Sequence, residues 1–202
     1  MKFIEQAHDR LESLDSLSRL WKLIARIAAV GFPLFMLIKS LALWNGLGDG
    51  DQPVKMTVNI LLMQLVFVGM GAWSFAVFWT RANDQLGKPG CIKFPLVHLA
   101  GPGFKAIGEM FAGWFALMGL GGFLCLWLTQ YRPGVLDFFI FGSNLFSTPF
   151  LMGLSVLICG CVAALLCIFM SYLAAEGSYF VIATDKNASD MASTSSTSGT
   201  GS

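Results

Sequence analysis

The chain has 202 residues, of which 55% are apolar and 12% charged, and its formal net charge is +1. With a mean hydropathy of +0.68, it carries more apolar surface than a water-soluble core of this size uses, and it lacks the basic excess of a nucleic-acid binder. Lipid is the solvent this composition fits.

A bilayer core is about 30 Å thick and takes roughly 20 apolar residues of helix to cross. Four runs qualify, at 24–45, 57–80, 107–129 and 150–175. They are continuous rather than alternating in polarity, which excludes a β-barrel. The expected fold is an all-α membrane protein, with a four-transmembrane-helix bundle in residues 22–184.

Residues 3–21, FIEQAHDRLESLDSLSRLW, place Ile4, Ala7, Leu11, Leu14 and Trp21 on one helical face. This predicts an N-terminal amphipathic helix over 1–21 that lies along the membrane interface, a partner-binding helix being the alternative. Asp15 or Ser16 would then cap a new helix entering the bilayer. A polar segment precedes the first run and NGLGDGDQPVK follows it, so it reads as a retained span and not a cleaved leader. Pro33 is expected to bend it, and Lys39 to snorkel toward headgroups rather than form an ion site. Asp49 and Asp51 read as solvated turn residues, with a weak cation site as the alternative.

The second span carries Gly69, Gly71, Ala72, Ser74 and Ala76, small enough for another helix to approach closely. Gln64 is its amide near mid-depth, read as a hydrogen bond between helices before a substrate contact. Residues 83–105 hold three of the seven prolines. Pro95 and Pro102 are expected to prevent a continuous helix there, and the apolar Ile92, Phe94, Leu96, Val97 and Leu99 to rest on the membrane or a partner.

In the third span Gly108, Ala112 and Ala116 recur every four residues and predict a smooth contact strip. Glu109 lies in its first turn, where a carboxylate suits the helix dipole; a proton or ion site is the alternative. Residues 131–150 read as a short interfacial helix or, alternatively, a re-entrant loop. Spans one and three align without gaps at six positions, including Trp44 with Trp127, which fits either a duplicated two-helix unit or chance in Leu-rich segments.

The fourth span contains Cys159, Cys161 and Cys167. Cys159 and Cys161 point some 200° apart, and Cys159 and Cys167 are separated by about 12 Å along the axis, so one helix cannot close a metal site with them. They read instead as part of a four-residue repeat of small side chains, Ser155, Cys159, Ala163, Cys167, Ser171 and Ala175, a second helix-packing ridge. Glu176 follows at the boundary, with Tyr172 and Tyr179 as interface anchors. Residues 185–202 are rich in Ser, Thr and Gly and read as a disordered tail.

Nine Lys or Arg lie in the N-terminal arm and central loop, against Lys55 and Arg132 in the other two connections. By the positive-inside rule both termini are expected in the cytoplasm. The histidines, His8 and His98, lie outside the spans, and no phosphate loop, HExxH or GxSxG motif occurs. The expectation is therefore a non-catalytic, multi-pass subunit of a bacterial inner membrane, without cofactor or metal. Its partners would be the lipid bilayer and either copies of itself or other membrane-protein subunits, with no nucleic acid. The alternative is a small oligomeric channel or transporter, with Lys39, Gln64, Glu109 and Glu176 along a polar pathway and Asn59 beside them.

Overall fold

The computed structural model of the chain describes residues 14–46, 53–83, 95–130 and 148–197. These form α1 (Leu14–Ala42), a 3-10 turn (Leu43–Gly46), α2 (Pro53–Asn83), α3 (Pro95–Thr129) and α4 (Pro149–Thr197). Each helix contains a stretch long and apolar enough to cross a membrane, at Arg19–Ala42, Val54–Asn83, Ala100–Thr129 and Pro149–Phe180. The four expected spans are present, in the architecture of a multi-pass helical bundle.

Proline opens three of the four helices, at Pro53, Pro95 and Pro149. The first helical position needs no backbone N–H, and the fixed proline φ already suits a helix. Before α4, the Thr148 carbonyl accepts the Met152 N–H at 3.1 Å, and its hydroxyl faces the Leu151 N–H at 3.5 Å. The expectation that Pro95 and Pro102 prevent a continuous helix is corrected: Pro95 starts α3 and Pro102 sits inside it. Proline at residue 102 removes one bond to the carbonyl four residues earlier, a local loss that the remaining ladder tolerates. At its far end α3 closes on Gln130, whose φ of 55° is left-handed.

Two further expectations change. Helix α1 already runs through Asp15 and Ser16, so residues 14–21 continue into the first span without a new cap. Trp21 does not lie on a membrane surface; with Ala25 and Ala29 it is buried in the bundle. Its indole N–H donates to the Arg81 carbonyl at 3.1 Å, which fixes the start of α1 against the end of α2. Residues 1–13 lie outside the described residues, as do Asp49, Asp51, Ile92, Phe94 and most of the 131–150 segment. Second, α4 continues to Thr197 through residues read as a disordered tail. Extending an existing helix adds a bond per residue and needs no new nucleus.

The helices pack in chain order. The most extensive contacts join α3 to α4 and α1 to α2, with α2 on α3 next and only a slight contact of α1 with α3. One buried cluster, at the end where α1 and α3 begin, is built on Trp21, Ala29, Phe78, Ala106 and Met110. Phe32 stacks on Phe78 at 5.4 Å and meets Trp114 edge-on at 5.8 Å, so one aromatic node joins α1, α2 and α3. The other cluster centres on Met36, Met63, Met118, Leu126 and Val156. Outside, Leu65 is 70% exposed, Leu165 68% and Phe180 73%. An apolar exterior over an apolar core is what a lipid solvent requires.

Candidate functional site

Close approach between α3 and α4 depends on residues without side chains. A Cβ at Gly160 would lie 2.7 Å from both the Gly119 Cα and the Phe115 carbonyl oxygen, so the two backbones touch there. A Cβ at Gly108 would overlap the Ser171 side chain and lie 3.0 Å from the Cys167 carbonyl. On α4 the buried and touching residues step as Gly153, Val156, Gly160, Ala164, Cys167, Ser171 and Ala175.

That strip modifies the expected ridge. A strict four-residue repeat turns 400° per step and drifts by 40° around the helix, whereas mixed steps of three and four stay on one line. Cys167, Ser171 and Ala175 are on the α3 face; Ser155, Cys159 and Ala163 are half-buried at its flank, and Gly153 and Gly160 take their place. The signal for these glycines was in the sequence, as two more small residues interleaved with the repeat, Gly153 two residues before Ser155 and Gly160 directly after Cys159. The free thiols span the range from buried Cys125 to exposed Cys161.

The strip on α3 divides in the same way. Gly108 faces α4 and Ala112 is buried, while Ala116 is exposed. Ala112 and Ala116 line an open groove of about 690 Å³ between α2 and α4. Its floor is Glu109, Ala112, Gly113, Ala116 and Leu117, and its walls are Gly69, Ala72, Trp73 and Ala76 on one side and Ala164 and Ile168 on the other. These positions follow the helical period, one face of each helix. From Glu109 to Leu117 the groove runs about 12 Å along the axis. Gly71, also expected to allow close approach, meets α1 instead: its Cβ would lie 3.2 Å from the Pro33 Cα.

At one end of the groove stands a polar cluster drawn from three helices. Arg81 on α2 donates through Nε to Glu109 Oε2 at 3.1 Å and through Nη2 to Oε1. The Tyr172 hydroxyl on α4 donates to Glu109 Oε1 at 2.8 Å. The Trp73 indole lies across Gly113, and its N–H donates to the Glu109 backbone carbonyl at 2.9 Å. A planar guanidinium matches both oxygens of a carboxylate at once, so the pair is oriented as well as charged. One turn earlier on α3, Lys105 stands over the rings of Tyr172 and Tyr179, at 5.0 and 5.9 Å.

The residues of the expected polar pathway are not gathered. Glu109 is in this cluster, and Glu176 is exposed on α4. Gln64 is half-buried further along α2, and Lys39 is exposed near the other end of α1, 5.5 Å from the Phe35 ring centre. Asn59 is buried and its side-chain oxygen has no hydrogen-bond partner among the described residues, as is also true of the Ser40 hydroxyl. Arg81 was read only as an orientation signal; its pairing across 28 residues depends on the packing of α2 on α3. Compared with known proteins, the chain matches no family model, no curated protein and no solved structure.

Proposed function

We propose that the chain is a non-catalytic integral membrane subunit that assembles through small-residue helix faces, with copies of itself or within a larger membrane complex. The observation that carries this reading is the groove between α2 and α4. Seven of its lining residues, Gly69, Ala72, Ala76, Ala112, Gly113, Ala116 and Ala164, are no larger than alanine. In lipid, helices associate through close van der Waals contact, because bringing apolar surfaces together has little other drive. A slot lined by small residues and left open by the chain's own helices suits a helix from another chain. The tight α3–α4 strip, by contrast, serves the chain's own packing.

The charge distribution supports a placement with both termini in the cytoplasm of a bacterial inner membrane. The other reading, an oligomeric channel or transporter, has less support, since Glu109 is engaged by Arg81 and the remaining polar candidates lie apart.

The test is particle size by light scattering in mild detergent. The 21.9 kDa chain is expected to run as an oligomer or with companions. Ala76→Leu with Ala116→Leu, both at exposed positions, should reduce it to the monomer with helix content unchanged. A monomeric wild-type particle without companions, or an assembled double variant, refutes the reading.

A further inference from the structure

Where α1 and α3 begin and α2 ends, the described side chains include Arg19, Lys22, Arg26, Arg81 and Lys105, against Glu109 and Glu176. Glu109 is occupied: Arg81 binds both its oxygens and Tyr172 donates to one of them. Lys105 and Glu109 are four apart on one helix, the spacing at which lysine and glutamate ordinarily pair. Here the carboxylate is directed to Arg81, and the Lys105 ammonium rests over Tyr172 and Tyr179 instead. Aromatic faces position a cation without neutralising it. Among the described residues the one ion pair is Arg81 with Glu109.

Arg19, Lys22 and Arg26 are all exposed on α1. By helical geometry they fall within about 60° of one another, a stripe of like charge two turns long. Like charges at this spacing destabilise a helix unless an anion sits between them. Tyr172, Tyr179 and Trp79 are exposed toward the same end of the bundle, and such aromatic side chains gather at the depth of lipid headgroups. The anion present at that depth is the lipid phosphate.

We infer that this end of the bundle is a binding surface for the headgroups of anionic phospholipids, with Lys105, oriented by Tyr172 and Tyr179, and the Arg19, Lys22, Arg26 stripe as its contacts. The surface is distinct from the groove and does not depend on assembly. Glu109 contributes indirectly, by pairing with Arg81 and not with Lys105.

The experiment titrates phosphatidylglycerol, and separately phosphatidylcholine, into the full-length protein in dodecyl maltoside, read by calorimetry. Phosphatidylglycerol should bind more tightly, and the difference should shrink as salt is raised from about 0.1 M to about 1 M. Lys105→Gln should weaken phosphatidylglycerol binding about fivefold, the effect of one basic residue near an anionic surface, and Lys105→Arg should restore it. Arg19→Gln, Lys22→Gln and Arg26→Gln together should weaken it at least as much, and being exposed they leave the packing intact. Equal affinity for the two lipids, or unchanged affinity in both the Lys105→Gln and triple variants, overturns the inference. A monomeric protein that keeps its preference for phosphatidylglycerol refutes the assembly reading alone.

Discussion

Arg81 holds both carboxylate oxygens of Glu109, and this pair ties the end of α2 to α3 at a point 14 residues beyond the start of that helix, so Glu109 is not in its first turn. The side chains are 25% and 22% exposed, so the contact is neither a freely solvated surface pair nor a sealed interior one. Surface pairs contribute about 0–1 kcal/mol, and breaking a fully buried pair costs about 3–5 kcal/mol. Removing either partner should therefore cost about 1–3 kcal/mol. Thermal unfolding in detergent of Arg81→Ala, Glu109→Ala and the double variant checks this, because the double variant should lose clearly less than the sum. Strict additivity would show that the two charges do not interact.

Glycine substitutions should divide by location. Gly160→Ala pushes a methyl into the Gly119 backbone and should destabilise by about 1–3 kcal/mol, the range for overpacking. Gly31 and Gly177 have open space where a Cβ would be, so alanine there should be neutral or stabilising by up to about 1 kcal/mol from helix propensity. Unfolding midpoints of the three variants in one detergent make the comparison. Equal effects would deny any backbone contact between α3 and α4.

The cysteines should behave as packing residues. Cys125 is completely buried, and Cys125→Leu should overpack its site by about 1–3 kcal/mol. Cys161 is exposed on α4, and Cys161→Leu should change stability by no more than about 0.5 kcal/mol. A variant with Cys159, Cys161 and Cys167 all replaced by alanine should keep its helix content and particle size. Loss of the folded particle in that triple variant would require another role for the thiols.

The proposed orientation rests on charge, and a single reactive position checks it. In a chain without native cysteines, Asp49→Cys should react with a membrane-impermeant maleimide added outside intact cells. Protection there, with labelling only after lysis, would invert the placement.

What was legible in the sequence was whatever depends on runs of residues. Spans emerge from hydropathy because lipid demands about 20 apolar residues wherever a helix crosses. Helix ends were harder, since proline breaks a helix in its interior and begins one at its first position; Pro95 was read for the first property and uses the second. Trp21 looked like the apolar side of a surface helix, because a stripe facing another helix and a stripe facing lipid have the same period. The four-residue ridge identified the correct helix, but its linear spacing ignored the helical drift that brings Gly160, not Cys159, against α3. The Arg81–Glu109–Tyr172 cluster was visible only as separate residues, since no local pattern reports which distant side chains meet.

Each helix packs on its neighbours in the chain, and the most extensive of these contacts joins α3 to the helix made after it. During biosynthesis the second span would thus find its neighbour already embedded, whereas the third would gain most of its packing only once the fourth is released. A chain terminated after α3 would therefore leave bare the largest surface that α3 buries, including the Gly119 backbone that meets Gly160.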